Sequence, residues 1–68
     1  MLREYDVVRL LRAVPGSGLE PGAVGAVVIV YPEADAYEVE FVDREGATIA
    51  LLTLEGSWLE NVPDDSRP

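Results

Sequence analysis

The chain has 68 residues, a net charge of −8, no His, no Cys and no Lys. That length makes one small domain with a thin core, and the missing residue types exclude a disulfide framework and any thiolate or imidazole metal site. They also exclude the usual general bases, activated thiols and a Ser-Lys pair, so Ser17, Ser57 and Ser66 have no base to activate them.

The charge is uneven. Residues 1–31 carry Arg3, Arg9 and Arg12 against Glu4, Asp6 and Glu20 and are neutral as a set. Residues 32–68 carry ten acids against Arg44 and Arg67, so the whole −8 lies there. Phosphate binding draws on clustered Lys and Arg, and this composition predicts no nucleic-acid or anionic-lipid partner. It predicts attraction to a basic protein, beside the simpler role of keeping a small domain in solution. No run reaches the roughly 18 apolar residues of a membrane span. The first residues, Met1-Leu2-Arg3-Glu4-Tyr5-Asp6, do not read as a signal peptide, which predicts a cytoplasmic address.

In chain order, Met1–Asp6 reads as a lead-in and Val7–Leu11 as the first strand, with one amphipathic helical turn as its alternative. The loop to Gly22 is rich in Gly and Pro and holds one apolar anchor, Leu19. Val24–Tyr31 is the second strand. Its alternation is blurred, and Gly25 reads as a bulge that bends it. Pro32 ends that strand because it cannot donate to a ladder.

Tyr37–Val42 is the third strand and the clearest, with Tyr37, Val39 and Phe41 on one face and Glu38 and Glu40 on the other. Asp43-Arg44-Glu45-Gly46 fits a type I turn. Thr48–Leu54 is the fourth strand, apolar on both faces, so it is either central or covered on one side. Glu55-Gly56-Ser57 reads as a turn or short 3₁₀ segment and Trp58–Val62 as a short fifth strand. Residues 1–62 therefore form one β domain, and 63–68 an acidic, frayed tail.

Five short strands, a long first loop and tight hairpins match a five-stranded SH3-like barrel, whose closure removes sticky edges. The alternative is an open antiparallel sheet that dimerises through Thr48–Leu54.

Specific stretches carry a resemblance. Tyr5-Asp6-Val7-Val8, Gly18-Leu19-Glu20-Pro21-Gly22, Val24-Gly25-Ala26-Val27-Val28, Tyr37-Glu38-Val39-Glu40-Phe41 and Ala50-Leu51-Leu52-Thr53-Leu54 are together similar to a family of small bacterial proteins known only as a domain of unknown function. The resemblance covers Leu2 to about Val62. It implies a stand-alone SH3-like fold, no catalytic residues to carry over, and a role as companion of a neighbouring-gene product, sometimes of the antitoxin kind. More distantly, Gly22-x-x-Gly25 and the valines after it resemble nucleic-acid-binding SH3-like modules of ribosomal and transcription proteins, but the basic residues of those modules are missing here.

The remaining groupings are weak as chemistry. Glu38 and Glu40 stand about 6.6 Å apart on one strand face, a spacing common to solvated strands, and a carboxylate pair for hydrolysis also needs a cleft. Glu38, Glu40, Asp43 and Glu45 near one hairpin end lack the loop pattern of a calcium site, and Asp64-Asp65 lies in the tail. The Pro15-Gly16-Ser17-Gly18 and Gly22-x-x-Gly25 pairs open no helix and precede no Lys, so they cradle no phosphate. Tyr37 and Phe41 read as core, and Tyr5, Tyr31 and Trp58 as candidate surface aromatics. Trp58 either plugs the barrel end or stands out as an interface anchor.

The sequence thus predicts a protein that is not an enzyme, holds no metal or cofactor and works by binding another protein. Its expected contact residues are Glu38, Glu40, Asp43, Glu45 and Trp58, facing a basic partner. A self-associating homodimer is the competing expectation, and a nucleic-acid-associated SH3-like module is a third, by fold analogy alone and opposed by the charge.

Overall fold

The computed structural model of the protein describes residues 1–63; the acidic tail expected from residue 63 falls outside them except for Pro63. It is all-β: β1 (Val7–Leu10), β2 (Val24–Tyr31), β3 (Ala36–Val42), β4 (Thr48–Glu55) and β5 (Leu59–Asn61) form one antiparallel sheet. Two 3₁₀ turns, Pro32–Ala34 and Gly56–Trp58, sit between β2 and β3 and between β4 and β5. The strand order is β4-β3-β2-β1-β5, so β4 and β5 are the two ends and the ladder is open.

Alternation in β3 is obeyed throughout. Tyr37, Val39 and Phe41 are at most 2% exposed, while Glu38 and Glu40 face outward and are half-buried. The inner rows follow from the register: Val8–Gly25–Phe41–Ala50, Val27–Val39–Leu52 and Val30–Tyr37–Leu54. Leu10, Leu19 and Leu59 complete the core. Burial of each large side chain contributes about 1.5–3 kcal/mol. No buried side-chain polar atom among the described residues lacks a partner.

The blurred alternation of β2 has a physical cause, and it is not Gly25. The register shifts between Val27 and Ile29, so Val28 is the extra residue of a β-bulge. Before it, Gly25 and Val27 point inward; after it, Ile29 is exposed and Val30 is partly buried against the core. The bulge flips the phase of the strand. Gly25 instead allows a close approach: a Cβ there would stand 2.6 Å from the Glu40 carbonyl oxygen and 2.9 Å from Phe41 Cδ1. Its missing side chain is the space the Phe41 ring takes up.

Pro32 does end β2, by opening a 3₁₀ turn. In the β3–β4 turn, Asp43 Oδ1 accepts hydrogen bonds from the amides of Glu45 and Ala47, at 2.9 and 3.0 Å. Gly46 takes φ +85°, a conformation that favours glycine. The long first loop is held by a Val14–Leu19 bridge. Ser17 Oγ donates to the Val14 carbonyl and accepts from the Leu19 amide, which seats Leu19 in the core at 7% exposure.

Two expectations need correction. Apolar composition on both faces of Thr48–Leu54 suggests a central strand or one covered on one side; the central position is overturned, because β4 is an edge, and within the monomer its outward residues Ile49 and Leu51 are 57% and 55% exposed. Trp58 belongs to the second 3₁₀ turn and not to the fifth strand, which begins at Leu59.

Candidate functional site

The outer face of β2, β3 and β4 is the surface with the most unusual composition. Its rows read Val7–Ala26–Glu40–Leu51 and Ile29–Glu38–Thr53 across the strands. The inner phase of β3 is fixed by the core, and this forces Glu38 and Glu40 to the opposite side together. Exposed apolar side chains surround them: Val24, Ile29, Tyr31, Val42, Ile49 and Leu51, all between 38% and 57% exposed. Two carboxylates thus stand in the middle of an apolar, uncovered sheet face.

These carboxylates are held in place by hydroxyl groups. Thr53 Oγ1 donates to Glu38 Oε1 at 2.6 Å, and the Tyr31 hydroxyl donates to the same oxygen at 3.4 Å. Thr48 Oγ1 donates to Glu40 Oε2 at 2.5 Å. Among the described residues the ion pair is Arg9 with Glu60, across β1 and β5, and no cation compensates Glu38 or Glu40. A hydroxyl donor orients a carboxylate and leaves its charge in place. Each carboxylate also keeps acceptor capacity for a further, cationic donor.

The five expected contact residues are only partly brought together. Asp43 and Glu45 lie exposed in the turn at one end of this face, with Asp43 Oδ1 engaged in holding the turn. Trp58 lies beyond the opposite end of β4, eight residues or roughly 26 Å of strand away. There it is half-buried and packs on the core. The Arg12 guanidinium stands 4.4 Å from its ring centroid, a cation–π contact, and its carbonyl accepts from the Leu11 amide at 2.8 Å. Trp58 therefore ties the first loop to the end of β4 and is not part of the acidic face. Sequence reading names Tyr31 as a surface aromatic and Thr48–Leu54 as an apolar strand but assigns neither to this face, and it gives Ile29 no place there. Reading β4 for its alternate residues would bring Ile49, Leu51 and Thr53 to the face of Glu38 and Glu40.

Elsewhere the surface is shallow. One open depression of about 340 Å³ is lined by Met1, Leu2, Asp35, Tyr37, Gly56 and Asn61. Another of about 440 Å³ lies beside the first 3₁₀ turn, over Val30–Ala34. Neither gathers a nucleophile with a base. Among the described residues no group of three or more acids is placed to hold a metal ion, and no helix is long and apolar enough to cross a membrane.

Residues 4–61 match the model of a family described as a domain of unknown function (DUF4926). No curated protein and no solved structure matches the chain.

Proposed function

The chain belongs to the DUF4926 family, a domain of unknown function, and on that footing we propose that it is a non-enzymatic protein-binding module whose outer sheet face docks a basic protein. The observation that carries this reading is the pair Glu38 and Glu40. Both are oriented by hydroxyl donors, neither is compensated by a cation, and exposed Ile29 and Leu51 flank them across the strands. A partner that offers Arg or Lys between apolar side chains satisfies both parts of the face. The apolar contacts supply the affinity and the charges supply register and encounter rate. The net charge of −8 adds long-range attraction for such a partner. An acidic companion of a basic toxin is one form of this role, and a cytoplasmic setting suits it.

The test is affinity capture of tagged protein from its native lysate at 0.15 M and 1 M salt, across which screening shortens from about 8 to 3 Å. Wild-type protein is run beside Glu38→Gln with Glu40→Gln. This reading expects one stoichiometric basic protein that is lost at high salt and lost with the double variant. A captured protein that is held equally by the double variant contradicts it, as does capture of acidic proteins only.

A further inference from the structure

Strand edges are hazardous because their unpaired N–H and C=O groups template pairing with another chain. Proteins blunt them with short length, charge, Pro or bulges. β5 uses several of these devices. It is three residues long, its Glu60 pairs with Arg9 at 2.6 Å, and Pro63 follows two residues after it. β4 runs eight residues, Thr48–Glu55; it has a bulge at Ile49, where its register against β3 shifts, but its stretch Thr48–Leu54 holds no charge and no Pro. β2 is equally free of charge, but it lies inside the ladder, paired with β3 along its length and with β1 over Val24–Ala26. β4 has the composition of an interior strand in the position of an edge.

A second observation points the same way. Ala50 and Leu52 face inward, yet both are only partly buried, whereas the inward residues of the neighbouring β3 are sealed. The core is unfinished along the Ala50–Leu52 part of β4, while Leu54 beyond it is buried. Outward, Ile49 and Leu51 remain more than half exposed.

We propose that a second copy of this chain completes the edge: two β4 strands pair antiparallel about a two-fold axis, giving one continuous ten-stranded sheet. The charge pattern selects the occupant and the register. The neutral stretch Thr48–Leu54 is centred on Leu51. An axis through Leu51 sets Leu51 against its own copy, Ala50 against Leu52 and Ile49 against Thr53, and the bulge at Ile49 ends regular pairing there. Every residue of that paired stretch is neutral and meets a neutral one. Two chains of net charge −8 can approach along this line because no carboxylate in it meets another. Pairing residues of like parity also keeps both inner faces on one side, so Ala50 and Leu52 are covered. This dimer stands on the edge strand and not on the basic-partner reading, and it would join two copies of the Glu38–Glu40 face side by side.

The test is sedimentation equilibrium of the full chain from about 1 μM to about 1 mM, at low and high salt. The expected result is a mass that rises from 7.4 kDa toward twice that value and does not fall as salt is raised. Leu51→Lys sets two like charges against each other at the axis while offering Glu40 a partner within the monomer. It should stay at the monomer mass over that range and keep a wild-type circular dichroism spectrum. In the Cys-free background, Leu51→Cys should oxidise to a covalent dimer and Thr53→Cys should not. A wild-type chain that remains at 7.4 kDa at the highest concentration overturns the proposal. A dimer that survives Leu51→Lys, with no disulfide formed by the Leu51→Cys variant, overturns its assignment to β4.

Discussion

At one edge of the sheet, β5 is three residues long, its Leu59 is 7% exposed in the core and its Glu60 pairs with Arg9. At the other, β4 is eight residues long, uncharged from Thr48 to Leu54, and turns Ile49 and Leu51 out to solvent. Both edges belong to the same small domain and close onto the same core. Both edges feed that core, β5 through Leu59 and β4 through Leu54, each 7% exposed, but of the two edges it is β4 that also turns large apolar side chains out to solvent. A chain of this size has little stability in reserve. On the proposed association, the exposed apolar strand surface with no ion pair over it is what the monomer offers to a contact outside itself.

Five substitutions sharpen or break this contrast, read by urea unfolding at dilute concentration with the single Trp58 as the fluorescent probe. The largest effect is expected at the sealed edge. Leu59→Ala removes a buried side chain and should cost about 2–5 kcal/mol. Next comes a change that touches neither edge. Gly25→Ala forces a Cβ against the Glu40 carbonyl at 2.6 Å, and overpacking of this kind should cost about 1–3 kcal/mol. The Arg9–Glu60 pair is about half exposed on both sides. A double-mutant cycle with Arg9→Ala and Glu60→Ala should return about 0.2–1 kcal/mol, falling as salt rises. The smallest effect belongs to Leu51→Ala, within about 0.5 kcal/mol in the monomer because the side chain is already exposed. If Leu51→Ala proves as costly as Leu59→Ala in dilute protein, the contrast between the edges is wrong.

Much of this is legible in the sequence where local rules suffice. The alternation of Tyr37, Val39 and Phe41 with Glu38 and Glu40 is a property of one strand, and it places both the core face and the two central carboxylates. Pro32, the Asp43–Gly46 turn and the Leu19 anchor are likewise local signals. What stays hidden depends on pairing between distant segments. An apolar strand looks the same at an edge as in the centre, so β4 does not reveal its position. The bulge at Val28 exists only relative to β3, and a run of valines gives no sign of which one is unpaired. Gly25 looks like the irregular residue, but its role is set by the Phe41 ring that crosses it sixteen positions later. Residue type alone groups Trp58 with the acidic residues, and the 3₁₀ turn carries it to the other end of β4, against Arg12 of the first loop.

The central claim is that the β4 edge is open in the monomer and is closed by association, while β5 is already protected. Amide hydrogen exchange, resolved by residue and compared between dilute and concentrated protein, tests this most directly. The account predicts fast exchange at alternate amides of Thr48–Glu55 in dilute protein that slows as concentration rises, with the amides of β1 that face β5 slow and unchanged throughout. Uniformly slow exchange along β4 in the dilute monomer, or fast exchange there that concentration does not alter, would contradict it.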